Sequence, residues 1–451
     1  MFPYLPTTDA ERAGMLRAIG ATSIDDLFAC VPEALRLRQP LDLPRPHSEW
    51  EVMEHFRGLE HGNLDPEEVA SFLGAGLYRH RQPTAVDALI QRAEFFTAYT
   101  PYQPEVSQGT LQAIFEWQTL LCQLTAMEVS NASLYEGASA VTEAVLMAER
   151  LRKGSRVVVS AGLHPEYRQT LRSYLASYPL KVVEVPLGPD GRTDTAAWTA
   201  AVGEDAVAAV VQSPNFFGCI EDLARLLPQA QQGGALAVVA IAEAVSLGLL
   251  KPPGELGADI VAGEAASFGL AASYGGPLAG FLTTRDAYKR DLPGRLVGQT
   301  VDAEGRRGFV LTLATREQHI RRAKATSNIC TNQGLFALVA TITLCLWGPV
   351  GLRRIAQRCQ DYAAYAQRRL TAIPRVRAVY GAPFFNEFAL ELPRPAAEVI
   401  ETLSQRGILG GVDLGRWYPE RRRELLVACT ECNSKEQIDQ YAAALAELLR
   451  S

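Results

Sequence analysis

Five stretches of this chain carry side chains whose types and spacing could do chemistry. Asn131-Ala-Ser-Leu-Tyr-Glu-Gly137-Ala-Ser139-Ala-Val-Thr142 reads as a short strand, a turn of small residues and the start of a helix. Free backbone N–H groups and the helix dipole make such a turn a phosphate site, with Ser139 or Thr142 adding a hydroxyl. An ordinary turn with Ser139 as N-cap is the equal alternative. Gln212-Ser-Pro-Asn215-Phe216-Phe217-Gly218 directly follows the apolar run AVAAVV. Ligands of doubly wound sheets bind beyond the carboxyl ends of the strands, so Gln212 and Asn215 stand where a ring or substrate would lie. A Pro-Asn turn with both phenylalanines packed inward is the other possibility. Ile241-Ala-Glu243-Ala-Val-Ser246 ends another apolar run with a carboxylate.

The loop Tyr99-Thr-Pro-Tyr102-Gln-Pro-Glu105-Val-Ser107-Gln108-Gly109 combines aromatic, hydroxyl and amide groups with stiffening prolines. Such a loop suits the lining of a site, an interface, or a site at an interface. In the fifth stretch, Arg316, His319, Arg322 and Thr326 fall on one helical row, and a polar turn from Thr326 to Gln333 precedes an apolar helix. The arginines read as a solvated or salt-bridged face. The turn, with Thr326, Asn328, Thr331 and Asn332, is the better functional candidate.

These stretches need elements to position them. The runs RVVVSA, KVVEVPL, AVAAVVQS, LAVVAIA, DIVAG and GFLTT alternate with helical segments and are almost continuously apolar. That pattern predicts a parallel sheet covered on both faces, with GFLTT the strand that could run antiparallel. Residues 1–95 read as an N-terminal arm of short helices and turns, with Ser23 a cap and Pro32 a break. Residues 96–345 form the large α/β domain. Residues 346–451, where VRAVYG, FNEFALEL and ELLVAC alternate with helices, form a small α+β domain. A long helical region runs from Thr315 to about Ala372, broken at Gly348-Pro349.

The bulk properties exclude some classes. The 451 residues have a formal net charge of −6 and 48% apolar content, which disfavours nucleic acid or an anionic membrane as the main partner. The apolar stretch Leu335 to Trp347 is shorter than the ~20 residues a span requires. No basic segment followed by an apolar run opens the chain, and the eight cysteines sit mostly in apolar stretches, so a reducing cytoplasmic location is expected. Cys429-Thr-Glu-Cys432 has no second pair and no histidine at metal spacing, and no metal is expected there.

The architecture suits a pyridoxal phosphate (PLP) enzyme, which needs a lysine amine to hold the coenzyme aldehyde as an imine. The lysines are Lys153, Lys181, Lys251, Lys289, Lys324 and Lys435. None lies in the segment that opens with the strand run DIVAG, where the cofactor lysine is expected and Ala265, Ala266 and Ser267 stand. The Asp that normally partners the pyridine nitrogen at the end of the preceding strand is also missing, replaced by Ala242 or Glu243.

MLRAIGATSIDDLF, YTPYQPEVSQG, NASLYEGASA, QSPNFFG and GEAASFGLAASYGGPLAGF, together with the block from Gly294 to Gln333, resemble the P protein of the glycine cleavage system, and specifically its N-terminal half or α subunit. The likeness covers nearly the whole chain. It implies the aspartate-aminotransferase fold, fold type I of the PLP-dependent transferases. It also implies a split enzyme, an α2β2 heterotetramer in which the β subunit carries the lysine and PLP. Ala265-Ala266-Ser267-Phe268 looks like the place of the partner's lysine segment.

The implied reaction is decarboxylation of glycine, with PLP as electron sink, and transfer of the aminomethyl group to the lipoyl arm of H protein. Sites of this fold lie at the dimer interface. The resemblance therefore makes Tyr99, Tyr102, Glu105, Ser107, Gln108, Asn328 and Thr331 candidates for orienting glycine or closing the partner's pocket. Thr326 and Asn332 become candidates for reaching its PLP phosphate. Gly137, Ser139 and Asn215 would line this chain's own vestigial site. Two other classes are a non-catalytic scaffold of the same complex and a homodimer binding PLP non-covalently; loss of both the lysine and the Asp disfavours the second.

Overall fold

The computed structural model describes residues 6–37, 39–64, 68–96 and 100–450, and the chain divides into two compact units, 1–64 and 65–451. The first contains helices α1 (Asp9–Ala18) and α2 (Glu49–Glu60) with short 3-10 turns between them. Thr8 and Ser48 start the helices through capping boxes with Glu11 and Glu51, and Ser23 caps the turn Ile24–Phe28 in the same way. Neither helix buries a residue.

The second unit opens with β1 (Ala70–Ser71), α3 (Ala85–Ile90), α4 (Ala93–Phe96) and α5 (Gln108–Thr125). A seven-stranded sheet follows: β2 (Val129–Ser130), β3 (Arg156–Ser160), β4 (Lys181–Val185), β5 (Ala206–Gln212), β6 (Leu236–Ile241), β7 (Ile260–Glu264) and β8 (Gly280–Thr284). Their spatial order is β2-β8-β7-β6-β5-β3-β4. Strands β3 to β7 are parallel, and β8, the GFLTT run, is antiparallel to its neighbours. Helices α6 (Gly137–Leu151), α7 (Pro165–Leu175), α8 (Thr195–Ala201) and α9 (Leu223–Gln232) make the crossovers.

Every residue of β5, β6 and β7 is buried, because both faces are covered. Val158, Ala209, Val239 and Val261 pack on one side with Trp117 and Leu121 of α5 and Leu226 of α9. Val157, Val210, Val238 and Ala262 pack on the other with Ala144 of α6 and Leu171 of α7. The mostly parallel, doubly covered sheet is the one the strand runs predict.

A hairpin, β9 (Leu296–Val301) with β10 (Arg307–Thr312), then leads to the single turn α10 (Gln318–Arg321) and to α11 (Gly334–Thr371). The helix expected from Thr315 up to the polar turn at Thr326 does not form as one continuous element, only as the single turns Ala314–Arg316, α10 and Arg322–Lys324. Arg322 (φ 54°) adopts positive φ and interrupts it, and Leu313 (φ 53°) turns the chain just before it. The row Arg316, His319, Arg322, Thr326 therefore has no helix to lie on. Arg316 turns inward instead, giving Nε to Leu313 O (3.1 Å) and Nη2 to Gly294 O (3.2 Å). The break in α11 falls at Gly348 (φ 57°), beside Pro349, as the dipeptide predicts.

Among the described residues α11 alone is long and apolar enough, by composition, to cross a membrane; here Ala337, Ala340 and Leu344 of its first half belong to the core beneath the sheet.

The last elements are β11 (Arg377–Ala378), β12 (Glu387–Glu391), α12 (Ala396–Ser404), β13 (Ile408–Leu409), β14 (Val412–Asp413), β15 (Glu424–Ala428) and α13 (Lys435–Leu448). Strands β11-β12-β15-β14 form an antiparallel sheet, and β13 pairs with β1. Ala366 of α11, Leu403 of α12 and Tyr441 of α13 close over Leu390 and Val427 of that sheet. All eight cysteines are free thiols.

Candidate functional site

The carboxyl ends of β3, β5, β6 and β7 open toward one place, where a doubly wound sheet holds its ligand. The turn before α6 meets it. Glu136, not Ser139, is the N-cap: Ser139 N donates to Glu136 Oε1 (2.7 Å), and Ser139 Oγ to Glu136 Oε2 (2.9 Å). Gly137 N, the first helical donor, gives its hydrogen bond to Glu264 Oε2 (3.0 Å) at the end of β7. Glu264 also accepts from Ala266 N (2.9 Å) and Ala279 N (3.0 Å), and burial raises its carboxyl to about 7. A Cβ added at Gly137 would overlap the Tyr167 hydroxyl, so the space in front of the turn is filled.

Asn215 is occupied locally. Its Nδ2 donates to Gly191 O and to Glu221 Oε1 (2.9 Å each), and its Oδ1 accepts from Phe217 N and Cys219 N (3.1 Å each). Phe216 and Phe217 are buried, so the inward-packed turn is the form adopted. Gln212 accepts from His164 N (2.9 Å) and donates to Pro214 O (3.0 Å).

Across the same strand ends runs the segment 74–80. Ala75 N donates to Glu387 Oε1 (2.7 Å), Tyr78 Oη to Glu387 Oε2 (2.8 Å), and Ala75 O lies 2.8 Å from His164 Nε2. Burial pushes the Glu387 carboxyl up to about 8. Gly76, at φ 94°, passes so close to His164 that a Cβ there would come within 2.9 Å of the ring. His80 Nε2 meets Glu243 Oε2 (3.0 Å) at the end of β6, and Nδ1 meets Glu431 Oε2 (2.8 Å). Cys359 Sγ is 3.4 Å from that same Glu431 oxygen; His80, Cys359 and Glu431 form the one potential cation cluster among the described residues, and here they bond one another.

PLP does not fit this place. Ala265, Ala266 and Ser267, all buried, stand where its lysine would be. The helix N–H groups that would take its phosphate are already bonded, Gly137 N to Glu264 Oε2 and Ser139 N to Glu136 Oε1. Residues 74–80 cover the strand ends where its ring would lie.

The other candidates gather elsewhere in the same unit. Tyr102 Oη accepts from Arg295 Nη2 (3.0 Å), while Thr331 Oγ1 and Asn332 Oδ1 accept from Arg295 Nη1 (3.1 and 3.4 Å). Asn332 Nδ2 reaches back to Ala132 O (3.2 Å). Near them, Tyr102, Glu317, His319, Arg322, Ile329 and Cys330 line a cavity of about 440 Å³. Asn328 and Glu105 are exposed, Thr326 is half-buried, and Ser107 is buried at the start of α5. Gln108 bonds both Phe309 N and Phe309 O (2.8 Å each), which pins β10 and not a ligand. Tyr99 lies outside the described residues.

His80, Glu264 and Arg295 escaped the reading of the sequence. Glu264 did leave a signal, a lone carboxylate ending an apolar run; His80 and Arg295 left none, since their partners are distant in the chain.

The sheet order, the crossovers and the C-terminal α+β part define a PLP-dependent transferase of fold type I, in a copy without the cofactor lysine. The chain belongs to the glycine cleavage system P-protein family, whose model matches residues 3–445. It is 47% identical over 446 residues to a probable glycine dehydrogenase (decarboxylating) subunit 1 of Moorella thermoacetica, covering 99% of each chain. To the protein of the same description in Rhodospirillum centenum it is 49% identical over 451 residues, covering 99% of this chain and 100% of the relative. A crystal structure of glycine decarboxylase (P-protein) in inhibitor-bound form superposes with a TM-score of 0.91 at 47% identity, covering 99% of this chain and 100% of that one. A sphingosine-1-phosphate lyase of Burkholderia pseudomallei shares the fold alone, at a TM-score of 0.66 and 16% identity over 93% of this chain and 94% of that one.

Proposed function

We propose that this chain is the lysine-lacking α subunit of a split glycine decarboxylase, active with a PLP-bearing β subunit in an α2β2 assembly. Full-length similarity to proteins described as subunit 1 of the decarboxylating enzyme supports the split form. The observation that carries the division of labour is the filled strand-end site, in which Glu264 and residues 74–80 stand where a cofactor would lie. The chemistry then belongs to the partner, where bound PLP supplies an electron sink as CO2 leaves glycine, and the aminomethyl group passes to the lipoyl arm of H protein.

This chain's part is to complete the partner's pocket. Tyr102, Thr331 and Asn332 offer a phenol, a hydroxyl and an amide from one cluster, the groups needed to orient a small amino acid and hold a phosphate. Asn328 and Glu105 are exposed and free to face a partner surface. Thr326, Ser107 and Gln108 support the same loops from within, and Tyr99 adjoins them in sequence. A cytoplasmic setting suits the free thiols.

The test uses enzyme co-purified from this chain and its lysine-bearing partner. Tyr102→Phe and Asn332→Ala are expected to lower kcat/KM for glycine without loss of assembly. Full turnover by both variants would remove these residues from the site.

A further inference from the structure

Arg295 lies just before β9 and is 4% exposed. Burying a guanidinium is costly unless its donors are matched by acceptors. Four acceptors meet its two terminal nitrogens: Thr331 Oγ1 and Asn332 Oδ1 at Nη1, Tyr102 Oη and Cys330 O (2.6 Å) at Nη2. Its Cζ lies 5.3 Å from the Tyr102 ring centroid. Nε makes no hydrogen bond and faces Glu317 Oε2 at 3.6 Å.

Its own carbonyl accepts from Ala132 N (2.9 Å), in the turn where Ala132 O also accepts from Asn332 Nδ2 and Ser133 Oγ accepts from Gln333 N (2.9 Å). One residue thus ties three pieces of chain far apart in sequence: the loop at Tyr102, the turn at 131–133 and the turn at 330–333.

An apolar side chain could fill this volume at no electrostatic cost. What only a guanidinium supplies is a rigid planar fork that fixes several acceptors in one geometry; an ammonium is a single point charge. Groups that must meet a substrate within about 0.5 Å need such support.

We infer that Arg295 is a positioning residue of the shared site: it sets Tyr102, Thr331 and Asn332 in one mutual geometry and acts through them, without touching substrate. The inference rests on the proposed role of those three residues.

The experiment compares Arg295→Lys, Tyr102→Phe, Asn332→Ala and the double variant R295K/Y102F, each co-purified with the lysine-bearing partner. kcat and KM for glycine are measured separately, together with the change in the cofactor's visible band on adding glycine. Arg295→Lys keeps the charge and loses the fork, and is expected to lower kcat/KM by on the order of 10- to 100-fold, with an altered glycine-induced band. The double variant is expected to lose no more than about twofold beyond Arg295→Lys alone, because both changes break one geometry. Unchanged kinetics and band for Arg295→Lys, with Tyr102→Phe impaired, overturn the inference alone; so do fully additive losses. Full activity of both Tyr102→Phe and Asn332→Ala instead overturns the assignment of the site itself, whatever Arg295→Lys does.

If Arg295→Lys does not assemble, Tyr102→Phe and Thr331→Val take its place, each removing one acceptor while keeping the arginine. Sub-additive losses in that pair support the inference and additive losses overturn it.

Discussion

The imidazole of His80 is held between two carboxylates, with Nε2 3.0 Å from Glu243 Oε2 and Nδ1 2.8 Å from Glu431 Oε2. Burial favours the neutral ring, but Glu243 and Glu431 outweigh it and raise the group from 6.5 to about 10. Glu431 moves the other way, to about 2, since the neighbouring imidazolium outweighs its burial. Glu243 stands at the end of β6 and Glu431 just after β15, so one cation joins the strand-end site to the C-terminal part.

Removing that cation leaves two buried carboxylates facing each other. His80→Ala is expected to cost about 3–5 kcal/mol at neutral pH, read by denaturant unfolding of the purified chain. The folded pKa is raised, so the contribution is complete below about pH 6.5 and is lost as pH rises through about 10. The gap between wild type and His80→Ala should therefore narrow between pH 7 and 10.5. A constant gap would mean that the ring is not charged in the folded chain.

Gly218 has φ 87°, and a Cβ there would overlap the backbone carbonyl of Glu387. Gly218→Ala forces a side chain into left-handed backbone and into β12 at once, at about 1–3 kcal/mol. The thermal midpoint of the chain should fall accordingly. An unchanged midpoint would show that the contact between the turn 212–218 and β12 is dispensable.

Glu264 and Glu136 hold the end of α6, so added PLP should find no site on the chain alone. No visible imine band and no rise in thermal midpoint are expected on titration. A saturable rise in midpoint would show that residues 74–80 move aside and that the place remains a ligand site.

Tyr102 is half-exposed, and its hydroxyl is tied to the core of the cluster by the hydrogen bond it accepts from Arg295 Nη2. Tyr102→Phe should change the stability of the chain by less than about 1.5 kcal/mol, while turnover of the assembled enzyme falls by on the order of tenfold. Equal, small effects on both would mark the phenol as a surface group.

Much of the fold was legible because the strands announce themselves. Runs such as AVAAVV and LAVVAI are apolar at every position, which only a doubly covered sheet demands, and Gly348-Pro349 marks the break in α11 by local chemistry alone. While the polar turn at 326–333 stands before α11 as its residues predict, the stretch 315–326 departs from its expected helix for the opposite reason. Its arginines keep a helical spacing, yet Leu313 and Arg322 take positive φ and Arg316 is drawn inward to main-chain carbonyls, choices set by tertiary contacts. Of the site, Tyr102, Thr331 and Asn332 could be found from their local density of polar groups. Arg295, which joins them, lies 193 residues from Tyr102 and has no local mark. The missing lysine was visible at once, but what fills its place was not: Gly137 and Glu264 are 127 residues apart.

The most direct measurement is exchange of labelled bicarbonate into the carboxyl of glycine with H protein present, using this chain alone, the lysine-bearing partner alone, and the two mixed. Exchange in the mixture only is the predicted result, since the partner holds the cofactor and this chain completes its pocket. Exchange by the partner alone at the rate of the mixture would contradict the account and leave this chain a scaffold.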